Sequence, residues 1–597
     1  MNKLLVIVTF VFQVVAATAT TREIPLLQNV YGRSSVTSLN GEWSYIIDQQ
    51  EMGYYGYRRN PIAWGFFNDK KAKKPSDLVE YDFDRARKMD IPGDWNTADN
   101  QLFFYEGNVW FRKKFRFTPK DGKRTLLYFG AVNYHSIVFV NGKEVGQHTG
   151  GFTPFNFDIT DLMKDGENSL VVKVDNKRHI DNVPTQVFDW WNYGGITRDV
   201  MLVEVGDTYL SDYSVRLSKE TNRAIDVTIQ LNSKKVGEEV TVTIPELKVC
   251  TRLTTDTNGS ATATIKAHPT LWSPENPKLY DCQIIHKTDI TRDEIGFRTI
   301  ETRGKQILLN GKPIFLKGAC MHDEIPYRQG RIRNAAEAHI LLDWAKQMGC
   351  NFLRLAHYPH NELTIREAER MGIMLWEEIP CYWAISWDNA DTYANAEAQL
   401  KAMITRDKNR AATIIWSVAN ETPHGESRDR FLGNLIGCVR EMDNSRLVSL
   451  AMEVLSAKDC VNKLSDKLHS LVDVVSFNQY VGWYRNVHDA PKMKWVIPYE
   501  KPIIVSEFGG GALANYHGPK EQRWTEEFQE ELYKQNLDML DKIDGLSGLA
   551  PWCLVDFRSP RRPLDGVQNY FNRKGFISEK GERKKAFYVI KQYYHRK

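Results

Sequence analysis

The chain has 597 residues, 42% of them hydrophobic and 26% charged, with a formal net charge of +4. That composition is ordinary for a globular protein, and the length calls for several domains rather than one. The near-balanced charge carries no basic stripe and so excludes a nucleic-acid binder as the first reading; Lys70, Lys71, Lys73 and Lys74 read as a solvated loop.

The N-terminus sets the expected compartment. Lys3 is followed by the apolar run LLVIVTFVFQVV and the small-residue stretch Ala16-Ala17-Thr18-Ala19, the pattern of a signal peptide over residues 1–19. The run is too short for an ordinary spanning helix. An exported protein, periplasmic or secreted, with no membrane attachment after processing is expected. The first of 8 cysteines is Cys250, so a lipid anchor on a new N-terminal cysteine is not expected. The cysteines show no pairing rhythm and read as small buried hydrophobes. No CxxC, HExxH or P-loop is present, so neither a metal nor a cofactor is expected.

Residues 20–205 read as short strands between turns: LNGEWSYI, VWFRKKFRF, SIVFVNGKEVG, NSLVVKVDN. Asn141-Gly142 marks a hairpin, and the whole suggests a jelly-roll β-sandwich. Residues 206–299 stay all-β, with VTIQLN, EEVTVTI, ATATIKA and YDCQIIHKT alternating as in an Ig-like sandwich. From residue 300 to 597 the rhythm becomes strand, helix, strand, helix. Its strand candidates are IFLKGACMH, NFLRLAH, GIMLWEEIP, TIIWSVANE, LVSLAM, VVSFNQY, IIVSEFG and GLAPWCLVDF. That is the pattern of a (β/α)8 TIM barrel.

Barrel active sites lie at the C-terminal ends of the strands. The polar residues there are His322, Arg354, His357, Glu377, Asn420, Glu421, Tyr480, Glu507 and Trp552. The fourth and seventh strands are continuous apolar runs that end in Glu421 and Glu507. An unpaired buried charge is costly, so two such carboxylates suggest a shared cleft, and paired carboxylates are the working groups of glycoside hydrolysis. A lone Glu at a barrel rim is ordinarily an ion-paired structural residue; the matched pair reverses that reading. Glu377 and Glu378, also at a strand end, are assigned to support.

Sandwich, Ig-like domain and barrel in this order resemble glycoside hydrolase family 2. The motifs NGKPIFLKGACMHDE, FLRLAHYPH, WSVANE and VSEFG carry the resemblance along nearly the whole mature chain. Within the family the chain looks most like the β-glucuronidases. NRKG, with Asn572 and Lys574, resembles the Asn-x-Lys motif that holds the substrate carboxylate. FDWWNYGG contains Asp189, which matches an aspartate reaching from the sandwich into the sugar pocket. NQYVGWY supplies Tyr480 and Tyr484, which match active-site tyrosines. Two stretches depart from the pattern: IPCYWAISWDNADTY is too short for the long lid of some members, and RSPRRPLDGVQNYF differs next to the carboxylate motif.

The resemblance implies retaining hydrolysis of a terminal β-linked glucuronic acid, with Glu507 as nucleophile and Glu421 as acid/base. Arg354 and Tyr480 are expected to hold Glu507 ionised, and the charge of Glu507 to keep Glu421 protonated. Asn420 is assigned to the 2-hydroxyl, Trp552 to the floor of the sugar site, and His322 and His357 to sugar hydroxyls. Each has a plainer alternative: core histidines, a packed rim Trp, and a solvated Lys574. The partner expected is a uronic-acid-terminated carbohydrate. Homo-oligomer formation is an implication of the resemblance only. The rival sugars are galacturonide and galactoside, and the rival class is a non-catalytic carbohydrate-binding protein.

Overall fold

In the parallel sheet of the C-terminal region, apolar β-branched runs are buried on both faces. Thr413–Asn420 and Ile503–Glu507 are buried at every position, as the absence of polar alternation in these runs requires. The computed structural model describes residues 22, 24–456, 460–485 and 487–597. The expected signal peptide lies outside these residues. No helix among the described residues is long and apolar enough to cross a membrane.

The sheet closes into a barrel. Leu316–Lys317 and Cys320–Met321 are successive halves of the first strand. The first half pairs in parallel with the eighth strand, Leu546–Leu549, and the second with the second strand, Phe352–Leu355. Around the ring then follow Met374–Glu378, Thr413–Asn420, Leu447–Met452, Val475–Asn478 and Ile503–Glu507. Capped helices cover the outside. In Ala335–Gln347 the Asn334 side chain accepts from Glu337 N at 2.9 Å, satisfying an amide that the first turn leaves open.

The first domain is a sandwich of a four-stranded and a six-stranded antiparallel sheet, closed on Trp43, Phe111, Phe129, Val138 and Val172. The second packs the sheet of Leu210–Leu217, Ala224–Leu231 and Ser260–Lys266 against the sheet holding Glu239–Ile244 and Tyr280–His286. The architecture is therefore a jelly-roll sandwich, an Ig-like sandwich and a TIM barrel. Phe188 and Trp190 of the first domain belong to the barrel's own hydrophobic cluster. This insertion delivers Asp189 to the mouth of the barrel. Of the cysteines, all but Cys250 and Cys460 are buried, and all eight are free thiols.

Candidate active site

At the mouth of the barrel lies a cavity of about 760 Å³ whose wall includes Glu421, Glu507, Asp189, His357, Tyr480, Tyr484, Trp552, Asn572 and Lys574. The fourth strand runs straight into Glu421, which takes a left-handed φ of 48° while its N–H donates to Ala451 O at 2.9 Å. A non-glycine residue held in that region is a local strain that the surroundings must impose, and such sites cluster where function needs a fixed side chain. Three glycines follow Glu507. A Cβ at Gly509 would meet the Tyr533 hydroxyl and one at Gly510 the Trp483 ring, so only glycine lets the chain pass this closely beneath the site.

The two carboxylates have different partners. Glu507 Oε1 accepts from Arg354 Nη1 at 2.8 Å and Oε2 from the Tyr480 hydroxyl at 2.6 Å. His357 Nε2 stands 3.6 Å from Oε1. Among the described residues Glu421 has only neutral donors: Asn478 Nδ2 at 3.0 Å and Trp383 Nε1 at 2.9 Å. Arg354 is itself shared. Its Nε and Nη2 reach Glu378 at 3.1 and 2.9 Å, and Nη2 also donates to Asn420 Oδ1 at 2.7 Å. Asn478 Nδ2 returns to Asn420 Oδ1 at 3.1 Å. A continuous chain of hydrogen bonds thus runs from Glu421 through Asn478, Asn420 and Arg354 to Glu507.

Burial is the largest influence on Glu507 and pushes its carboxyl above the usual range. Arg354 opposes that rise and the charge of Glu421 adds to it. The expected donors to Glu507 are in place, but their net effect is outweighed by burial. For Glu378 the balance is the reverse: burial works against its charge, and Arg354 and His357 hold the carboxyl below its usual range. Glu377, its neighbour, points elsewhere. Its Oε1 accepts from Thr413 Oγ1 at 2.6 Å, away from the cavity wall.

At the other end of the cavity Lys574 is buried, with only 4% of its surface exposed. Its Nζ donates to the Tyr484 hydroxyl at 3.2 Å and lies over the rings of Tyr480, Trp483 and Tyr484 at 5.4, 5.5 and 5.3 Å. Among the described residues no carboxylate forms an ion pair with it. Burial pushes the Tyr484 phenol up, but Lys574 and Arg562 outweigh it and bring it below its ordinary value. Asp189 is clamped from three sides: Ser559 Oγ donates at 2.5 Å, Asn572 Nδ2 at 3.4 Å, and Arg562 pairs with the remaining lone pairs.

Three of the expected contact residues are not in the wall. His322 is packed beside the site: Nδ1 meets the Tyr358 hydroxyl at 2.9 Å, the ring stacks on Phe557 at 3.9 Å, and Nε2 has no partner among the described residues. Burial drives its basicity well below the ordinary value. Arg354 is fully buried, and its guanidinium donates to Glu507, Glu378 and Asn420. Asn420 is buried behind the pair; its Oδ1 is taken, while Nδ2 has no partner among the described residues. Trp552 forms part of the wall and stacks on His357 at 4.9 Å.

Asn478, Trp383 and Arg562 escaped the sequence reading. Asn478 ends a buried apolar strand just as Glu421 does, so the same signal was available for it. Trp383 and Arg562 sit on the two stretches set aside as departures from the family pattern. Among the described residues no group of His, Cys, Asp and Glu side chains forms a metal-ligand cluster.

Comparison with known proteins decides the family. The glycosyl hydrolases family 2 TIM barrel domain matches residues 300–596, the sugar binding domain of that family matches 36–206, and its central domain matches 208–298. The chain belongs to glycosyl hydrolase family 2. As a family 2 glycoside hydrolase it is β-glucuronidase-like. It is 27% identical over 598 residues to a β-glucuronidase of Streptococcus agalactiae, covering 89% of this chain and 97% of the relative. A β-glucuronidase structure from an uncultured Clostridium species superposes with a TM-score of 0.80 at 27% identity, covering 96% and 100% of the two chains. A β-galacturonidase from Eisenbergiella tayi bound to galacturonate shares the fold, with a TM-score of 0.78 at 24% identity over 96% and 99%.

Proposed function

We propose that the protein is a retaining exo-β-glucuronidase that releases terminal glucuronic acid from a glycan or conjugate. The observation that carries the reading is Lys574, a buried ammonium on the cavity wall with aromatic faces around it and, among the described residues, no carboxylate paired to it. A buried charge without a counter-ion is costly, and a uronate bound there supplies one. Asn572, two residues away, adds an amide for the same carboxylate. A neutral galactoside leaves the ammonium unpaired.

In the reaction Glu507 attacks the anomeric carbon while Glu421 gives its proton to the leaving oxygen. Water then takes the glycosyl group off Glu507, with Glu421 as base. The charge layout suits this order. Glu507 is the member of the pair with a cation against it. When glycosylation removes its charge, Arg354 still has Glu378, so no buried cation is stranded. Asn420 Nδ2, just behind the wall and without a partner among the described residues, is a donor for a sugar hydroxyl.

A panel of aryl β-glucuronide, β-galacturonide and β-galactoside tests the reading, with the anomer released followed by NMR. The glucuronide should be cleaved with retention, and Glu507→Ala should abolish turnover. Lys574→Ala should lower kcat/KM for the glucuronide on the order of 100-fold and change any galactoside activity far less. Equal losses on both sugars would remove the carboxylate role, and a preference for the galacturonide would reassign the epimer. The charged and apolar N-terminal segment supports export; N-terminal sequencing of mature protein should begin near Thr20.

A further inference from the structure

The loop that follows the eighth barrel strand carries five arginines, and four of them are committed to protein partners; Arg583 donates to Gln347 Oε1. Arg558 donates to Gln329 Oε1 at 3.1 and 2.8 Å and to Asn569 O at 3.2 Å. Arg562 pairs with Asp189. Arg573 pairs with Asp556 and Glu579. Arg561 differs. Its guanidinium lies over the Trp383 ring, 4.8 Å from the centroid, and it is on the cavity wall. Among the described residues its side chain makes neither a hydrogen bond nor an ion pair; only its backbone N–H donates, to Ser559 Oγ at 3.2 Å.

Trp383 fixes which side of the reaction this arginine faces. The indole N–H donates to Glu421 Oε2 at 2.9 Å. Trp383 is itself held by its N–H to Asn420 O at 3.0 Å. If Glu421 is the acid, the leaving oxygen stands against it, and the Trp383 ring borders the space that the leaving group occupies. A cation laid on an aromatic face is held in place without using its N–H donors, and a planar guanidinium with free donors matches a carboxylate or sulfate in two parallel hydrogen bonds. Arg485, on the same wall, adds positive charge; it donates to Asn462 Oδ1 at 3.2 Å. Glu453 also faces the cavity; it is exposed, as Arg561 is, so both charges are screened by solvent.

We infer that Arg561, presented on Trp383 beside Glu421, binds an anionic group on the leaving sugar, a sulfate or a carboxylate, so that the preferred substrates are acidic oligosaccharides. The inference rests on the uronidase reading and adds the other half of the substrate. The site that holds the terminal uronate is built around Lys574; the site for the second anion is built around Arg561, where the cavity wall includes Trp383.

The test uses the full chain and disaccharides in which a terminal uronic acid is linked to a neutral, a carboxylated or a sulfated sugar, with an aryl uronide as reference. The uronosyl epimer is the one that the aryl panel shows to be cleaved. Wild type should cleave the acidic disaccharides with kcat/KM on the order of 10- to 100-fold above the neutral one, the range of a charge-assisted bond. That preference should shrink as salt is raised. Arg561→Ala should bring the three disaccharides to within about threefold of one another, Arg561→Lys should fall between, and Arg561→Glu should invert the order. The carboxylated and sulfated arms separate the two anion sources. If wild type cleaves the aryl uronide yet shows no acidic preference, or if Arg561→Ala lowers all substrates equally, the inference is overturned and the uronidase reading stands. If no uronide of any kind is cleaved, both fall together.

Discussion

Glu421 and Glu507 are the same functional group at the ends of two similar strands, and only their neighbours make them different. Arg354 and Tyr480 attend Glu507; Asn478 and Trp383 attend Glu421. Burial nevertheless raises the Glu507 carboxyl, and the Tyr480 hydroxyl is one of the groups that restrain that rise. The consequence for pH is definite. Glu507 attacks only when ionised, so activity falls as pH drops through its raised value, giving an acid limb above the ordinary carboxylate range. Tyr480→Phe removes a restraining donor. Its acid limb should move to higher pH by about one unit, with kcat reduced, in a kcat/KM profile on aryl glucuronide. A shift to lower pH would contradict the assignment. Asn478→Ala cuts the chain between the two carboxyls and removes a donor from Glu421. It should lower kcat on the order of 10- to 100-fold with little change in the melting temperature. The two glutamates were legible because an apolar run that stops at a charge is a strong local signal. Asn478 carries a weaker form of it, and nothing local in Trp383 announces that its indole N–H will end on a carboxylate.

At the scale of elements, the barrel strands declared themselves by composition, since a strand buried on both faces has little room for polar residues. The loop from residue 550 to 584 did not. It holds Trp552, Arg561, Arg562, Asn572 and Lys574 against the cavity, yet has no period, because each side chain is aimed by a separate tertiary contact. One of those contacts is Glu324, whose Oε1 accepts from Arg558 N at 3.0 Å. Burial lifts the Glu324 carboxyl from 4.5 to about 7, against the pull of the Arg558 N–H and the Arg331 guanidinium. The proton is therefore bound more tightly in the folded state than in the unfolded one. That contribution to stability is fully present below about pH 4.5 and is lost as pH rises through about 7. Glu324→Gln keeps an acceptor for Arg558 and cannot ionise. In urea titrations it should match wild type near pH 4.5 and exceed it at pH 8 by on the order of 3 kcal/mol at most. A variant less stable than wild type at pH 8 would show that the ionised carboxylate is the form the loop needs.

Across the whole molecule, the order of the domains was readable from changes in rhythm along the chain, but the joints between them were not, because they are made of polar residues far apart in sequence. The main joint is Asp293 in the Ig-like domain. It accepts from Arg366 Nη1 at 3.0 Å and from Tyr213 at 2.5 Å, and it pairs with Arg410. Arg366 also donates to Asn29 Oδ1 at 2.9 Å, and Arg410 to Glu369 Oε2 at 2.9 Å. The N-terminal segment, the Ig-like domain and the barrel thus meet at one buried carboxylate. Burial alone would raise Asp293, but Arg410 and Arg366 outweigh it and hold it below the usual range. Removing its charge takes one of two carboxylates from each of two buried guanidiniums, Arg366 keeping Glu362 and Arg410 keeping Glu369, so the network is weakened rather than stripped of its negative charge. Asp293→Asn should therefore lower stability at pH 7 by about 1–3 kcal/mol. A depressed carboxyl contributes stability above its unfolded value, near pH 3.9 for Asp, and loses it as pH falls through the folded value. The difference between wild type and Asp293→Asn should accordingly be full at pH 7 and narrow only in strong acid. Asp293 is not part of the cavity wall, so glucuronide turnover at a temperature where both proteins are folded should be nearly equal. Equal melting temperatures at pH 7 would mean that the joint is held by packing rather than by this charge.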